Sequence, residues 1–228
     1  MLFLLLALLQ TPDPDLLYRD RATIGSAVQA AAIWEQRLAA NPKDFESAWK
    51  LARACYWLGS RAPQVERRAY LERGVDVSRR AATLEPTRPE GHFWRAANMG
   101  TLAESFGLRQ GLRYRGPIKE ALETVLKLDP GFMGGSADRA LGRWYFKVPR
   151  LFGGSNDRSV EHLRRSLTYD PGSTVSHYFL AETLIDMERR ADARSELERV
   201  LAAPPNPDWV PEDQEYKGRA HELLRKTP

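Results

Sequence analysis

One cysteine, Cys55, stands in 228 residues. It excludes an intramolecular disulfide and any multi-cysteine metal site. In the run AWKLARACYWLG it reads as a small core residue. Histidine is also scarce. His92, His162, His177 and His221 include no pair at the i,i+4 spacing of a zinc-binding helix and no HExxH. His162 and His177 fall on neighbouring predicted helices, within reach of each other. No serine sits in a GxSxG elbow. No metal or cofactor is expected, and no catalytic constellation is visible.

Charge of one sign is in short supply. The net charge is +4, and arginine pairs alternate with Glu and Asp along the chain. A nucleic-acid binder gathers its positive charge on one face or in a tail, so nucleic acid is not an expected partner. Apolar content of 43% against 28% charged residues places the body among folded rather than disordered chains. The longest apolar run, MLFLLLALL at residues 1–9, is too short to span a bilayer. It lacks a basic n-region and a clear small-x-small cleavage site. Three readings stay open for it: a signal whose start is lost, a peripheral apolar anchor touching a membrane, or a helix packed on the domain. Residues 1–15 are set apart as this segment and a polar linker, and 16–228 as one domain.

Period-two alternation is missing from residue 16 onward. Apolar residues recur at three and four instead, as in ALETVLKLDP with Ala121, Leu122, Val125 and Leu128. SVEHLRRSLTYDP and ARSELERVLAAPP repeat that helical stripe. Helix stops follow at Pro42, Pro86, Pro130, Pro171 and Pro204–Pro205, spaced 44, 44, 41 and 33 or 34 residues apart. A period near 34 is that of the tetratricopeptide helix pair. The longer intervals fit the same unit with insertions. The sequence therefore predicts an all-α, tetratricopeptide-like helical-hairpin solenoid with lengthened repeats. Hairpins are expected at 44–59 with 64–84, 88–106 with 117–128, 136–147 with 156–169 and 174–187 with 190–202. Helix 16–40 caps the front and helix 212–225 the back.

Two near-copies, GGSADRA at 134–140 and GGSNDRS at 153–159, then mark successive helix starts. Ser136 and Ser155 are expected to cap them, with Asp138 and Asp157 in the first turns. A phosphate loop would need a following lysine and a preceding strand, and neither is present.

The first helix of each pair lines the inner curve of such an array, where repeat proteins bind. Inner positions from the pattern are Trp94, Asn98 and Thr101, then Arg139, Arg143 and Lys147, then Tyr178, Glu182 and Asp186. The basic stripe suits a peptide or a small acidic ligand, or else pairs with neighbouring acids. Glu182 is singled out for a hydrogen bond between helices or to a ligand. Surplus aromatics in GRWYFKVPRLFGG suit a cavity or a subunit contact.

GHFWRAANMG, IKEALETVLKLDPGFMGGSADRALGRWYFKVPRLFGGS and the helix bearing His162 and Leu163 resemble a particular family. They resemble the T component of tripartite ATP-independent periplasmic transporters, and the related repeat region of regulators of microtubule dynamics. The resemblance spans about residues 16–226 and is most specific over 130–170. It implies a helical-pair domain, export to the periplasm, an accessory role beside a periplasmic solute-binding protein, and self-association into a homo-oligomer. Function is thus expected to be noncatalytic binding, with a structural or assembly role as the second reading and an enzyme as the least expected.

Overall fold

A computed structural model describes residues 12–226; the apolar run at 1–9 lies outside the described residues. Eleven α-helices follow one another, with no strand among the described residues: α1 (Pro14–Arg19), α2 (Ile24–Ala40), α3 (Phe45–Arg61), α4 (Gln64–Leu84), α5 (Pro89–Ser105), α6 (Leu108–Leu128), α7 (Phe132–Lys147), α8 (Asn156–Tyr169), α9 (Thr174–Asp186), α10 (Arg190–Ala202) and α11 (Val210–Lys226). A 3-10 turn, Arg150–Phe152, joins α7 to α8. The chain is an all-helical, tetratricopeptide-like stack.

Hairpins α3–α4, α5–α6, α7–α8 and α9–α10 form by packing of neighbouring helices. Close approach within a pair is licensed by small residues. A Cβ on Gly59 of α3 would sit 2.4 Å from Leu71 Cγ, and one on Gly142 of α7 would sit 2.5 Å from Leu163 Cγ. Both leucines are fully buried. Burying such a side chain stabilises by roughly 1.5–3 kcal/mol. The apolar core runs as one cluster from Tyr18 to Tyr145 and a second from Val160 to Ala220.

Three expected helices differ. The front helix at 16–40 is two helices, α1 and α2, because Asp20 turns the chain. Its carboxylate accepts from the Thr23 and Ser26 hydroxyls at 3.3 and 2.7 Å. The break buries Arg21, whose carbonyl accepts from Trp57 Nε1 at 2.8 Å. Helix α6 begins at Leu108, not at Pro117, and carries Pro117 inside it. A proline interrupts the amide ladder, yet the stripe Ile118, Ala121, Leu122 and Val125 is buried and packs on α5. The third difference lies at GGSADRA. Met133, Gly134 and Gly135 take left-handed backbone angles, φ 47, 63 and 71, and regular helix begins only after them. Glycine enters that region without the Cβ penalty. Ser136 does not cap there. Its hydroxyl instead turns back and donates to the Phe132 carbonyl at 2.9 Å. Ser155 does cap α8, accepting from the Arg158 amide at 3.3 Å.

Asp138 also departs from its expected role. It is buried and accepts from Arg165 Nη2 at 3.0 Å, with His162 Nδ1 at 2.7 Å. It therefore ties α7 to α8 rather than facing helix-start amides. His177 meets Glu196 at 2.5 Å and the Pro171 carbonyl at 2.9 Å. The two histidines thus serve separate hairpins instead of pairing.

Candidate functional site

The first helices α3, α5, α7 and α9 touch one another in succession, and α11 continues the row by packing on α9 and α10. The row curls far enough for α11 to return to the front. Arg21 Nη2 meets Glu212 Oε2 at 2.6 Å and the Asp208 carbonyl at 2.7 Å. Arg61 of α3 pairs with Glu215 of α11. Arg21 also stacks over the rings of Tyr18, Trp57 and Trp209. What encloses the inner face is therefore the chain's own last helix.

Inside lies a cavity of about 1120 Å³ with residues from α3, α5, α6, α7, α9 and α11 on its walls. Its apolar side is made by Tyr56, Phe93, Trp94, Trp144, Phe179 and Tyr216. Burial pushes the Tyr56 and Tyr216 phenols above their ordinary range, so both stay neutral donors at physiological pH. Rings meet edge-on at Phe93–Trp94 and Phe179–Tyr216, with centroids 5.0 and 5.7 Å apart.

The predicted inner positions divide. Trp94, Thr101, Arg139, Arg143 and Lys147 line the cavity. Arg143 is an ion-pair hub, bound to Glu182 at 2.6 Å and to Glu104 at 3.1 Å. Burial pulls its pKa down, but the two carboxylates outweigh this and raise it. Glu182 thus makes a hydrogen bond between helices. Arg139 has no hydrogen bond or ion pair to any described residue. Burial lowers its pKa, and Asp170 offsets this only in part. Lys147 lies over the Phe146 ring. Asp186 accepts from Asn156 Nδ2 at 2.7 Å, at the start of α8.

Two positions are corrected. Asn98 is fully buried, not on the groove. Its amide donates to the Ala52 and Trp94 carbonyls at 3.1 and 2.8 Å, and its side chain fills the space left by Gly74. Tyr178 is buried too, edge-on to Tyr216 in the second cluster. Val175 and Phe179 face the cavity instead. Sequence reasoning also missed Trp209, Glu212, Glu215, Tyr216 and Arg219. Nothing local marks α11 as a wall, since its polar face reads as that of a solvated cap.

At the mouth, VPRLFGG folds back on α7. Gly154 donates to the Pro149 carbonyl at 3.2 Å, and Ser155 to the Tyr145 carbonyl at 2.9 Å. Leu151 is 88% and Phe152 37% exposed, with exposed Leu108 and Leu112 also in the described chain. Among the described residues no cluster of three or more His, Cys, Asp or Glu is placed to hold a metal ion. No described helix is long and apolar enough to cross a membrane.

This geometry is that of a tetratricopeptide-class repeat protein. The family model for regulator of microtubule dynamics protein 1-3 matches residues 16–152, and a tetratricopeptide repeat model matches residues 154–210. The chain belongs to the family of regulators of microtubule dynamics. Among solved structures, it is similar to TTC0263, a thermophilic TPR protein of Thermus thermophilus. The TM-score is 0.69 at 19% identity, covering 92% of this chain and 97% of that one. It is also similar to MamA 41-end from Desulfovibrio magneticus RS-1, with a TM-score of 0.52 at 16% identity, covering 95% and 98%. These likenesses concern the fold. No curated protein matches the chain.

Proposed function

We propose that this chain is a noncatalytic interaction module that holds a protein or peptide partner at the inner surface of its curled repeat array. The observation that carries the reading is the 1120 Å³ cavity bounded by the first helices of successive repeats and by α11. Inner surfaces of such arrays are where repeat proteins present side chains to partners. Tetratricopeptide folds typically serve as noncatalytic scaffolds, and Glu104, Glu182 and Glu215 are each engaged by an arginine. The narrower form of the proposal is an exported accessory component of a periplasmic solute transporter, with the solute-binding protein as partner. Its support is the resemblance over residues 130–170.

Affinity capture from the native organism tests both forms, using the wild type and an Arg139→Glu variant of unchanged helicity. Reproducible recovery of a partner by the wild type and its loss in the variant is the expected result. Recovery of a solute-binding protein supports the narrower form. Equal capture by both removes the inner surface from the interaction.

An oligomeric assembly role is the second reading. Leu151, at 88% exposure beside Phe152 on the turn after α7, favours it. Light scattering over a wide concentration range checks it, and a strict monomer throughout excludes it.

A further inference from the structure

We infer that the cavity is a binding site for a small amphipathic monocarboxylate, with Arg139 as the anchor of its charged end. The inference rests on the cavity being the functional surface, and deepens that reading by naming a ligand class.

Start with the charges on the wall. Arg61, Arg143 and Arg219 are occupied by Glu215, by Glu104 with Glu182, and by Glu215 again. Arg67 donates to the Ala62 carbonyl at 2.7 Å, and Arg115 lies over the Phe152 ring. Arg139 is different. It projects from the middle of α7 onto the cavity with no acceptor among the described residues. Asp170 lines the same cavity but forms no ion pair with it; that carboxylate accepts from the Gly172 amide of its own turn at 3.2 Å. A guanidinium presents a planar fork that matches one carboxylate. A half-buried fork on the cavity wall without an acceptor in the chain is free to take one from a ligand.

The rest of the wall decides the ligand's character. Phe93, Trp144, Phe179, Met133 and Leu122 offer apolar and aromatic contact to a body, not to a second charge. The nearest other unpaired cation on α7, Lys147, is eight residues on, which is about 12 Å along a helix. With Asp170 close by, a dianion at Arg139 would meet an opposing acid. One negative charge on an apolar body fits; a phosphate dianion does not. The volume is just above the ~300–1,000 Å³ of ordinary small-molecule pockets, so ligand and bridging waters both fit.

The test is calorimetric titration of the full chain with 4-phenylbutyrate, 4-phenylbutanol and inorganic phosphate. The acid is expected to bind saturably, the alcohol to bind more weakly, and phosphate not to bind. In Arg139→Gln the acid should weaken about tenfold or more, the loss of one charge-assisted pair, while the alcohol is unchanged. Asp170→Asn, which removes the competing acid and keeps the turn's acceptor, should tighten the acid. Urea midpoints of both variants control for folding. Equal affinity of wild type and Arg139→Gln for the acid overturns the inference, as does tighter binding of phosphate or no saturable binding of the acid. If the acid fails while a protein partner is still captured, the small-ligand inference falls and the interaction reading stands.

Discussion

Arg21, in the break between α1 and α2, and Glu212 of α11 meet at 2.6 Å although 191 residues of chain separate them. Their side chains are 5% and 16% exposed, and the Arg21 fork also reaches the Asp208 carbonyl. With Arg61–Glu215 beside it, this pair fastens the last helix to the first hairpin. The inner surface of the array thereby gains a wall from α11 and becomes a deep, partly open cavity.

Removing one partner of that pair leaves a buried charge alone. Glu212→Gln is expected to lower stability by roughly 3 kcal/mol, as breaking other buried pairs does. A paired replacement, Arg21→Met with Glu212→Leu, should lose far less. Urea denaturation checks the magnitudes. Hydrogen exchange of α11 amides should quicken in the single variant, reporting that the ring opens.

Arg143 holds Glu104 and Glu182 at once, but not equally. Glu182 is 22% exposed and Glu104 42%. Double-mutant cycles to alanine should give a coupling of about 1 kcal/mol for Arg143–Glu182 and under about 0.5 kcal/mol for Arg143–Glu104, since exposed pairs are screened. Chemical denaturation of the four variants of each cycle measures both. Equal couplings would mean that exposure does not rank these pairs.

Glycines should sort by what their Cβ would meet. On Gly154 it would sit 1.7 Å from the Val148 carbonyl oxygen, which is backbone and cannot rotate away. Gly154→Ala is expected to cost about 2 kcal/mol or more through overpacking. Gly218 in α11 has nothing within 4 Å, so Gly218→Ala should gain roughly 0.5–1 kcal/mol of helix propensity. Thermal midpoints moving in opposite directions are the expected readout.

Asp44 caps α3, accepting from the Ser47 amide at 3.0 Å and its hydroxyl at 2.6 Å. Partial burial pushes its carboxyl up, but the two Ser47 donors, with the Arg37 charge and the Glu46 amide, together outweigh burial and hold it below the usual 3.8. A depressed carboxyl stabilises fully above its unfolded value, and that contribution fades as pH falls through the folded value. Asp44→Ala should therefore lose about 1 kcal/mol at neutral pH. The gap from wild type should narrow as pH drops below 3.8. Urea titrations at several acidic pH values follow it.

Much of this was legible along the chain. Helix stripes and proline stops mark local preferences, and these act over a few residues, so α8, α9 and α10 stand where their patterns place them. Pro117 misled for the same reason: its local cost was outweighed by the packing of Ile118 to Val125 on α5. Trp94, Arg139, Arg143 and Lys147 line the cavity where the helical pattern placed them. Asn98 and Tyr178 do not, because which neighbour of a cavity residue turns inward depends on how the helix rotates against its partners.

The sequence by itself determined an all-helical repeat stack, its hairpins, and the residues small enough, such as Gly142, to let paired helices touch. The tertiary structure alone decided the curl. Only contacts over long separations bring Arg21 to Glu212 and Arg61 to Glu215. Each pairing depends on the summed small rotations between all the hairpins in between, and no local pattern records that sum. The same sum places Arg139 on the wall of the cavity without a hydrogen-bond or ion-pair partner among the described residues.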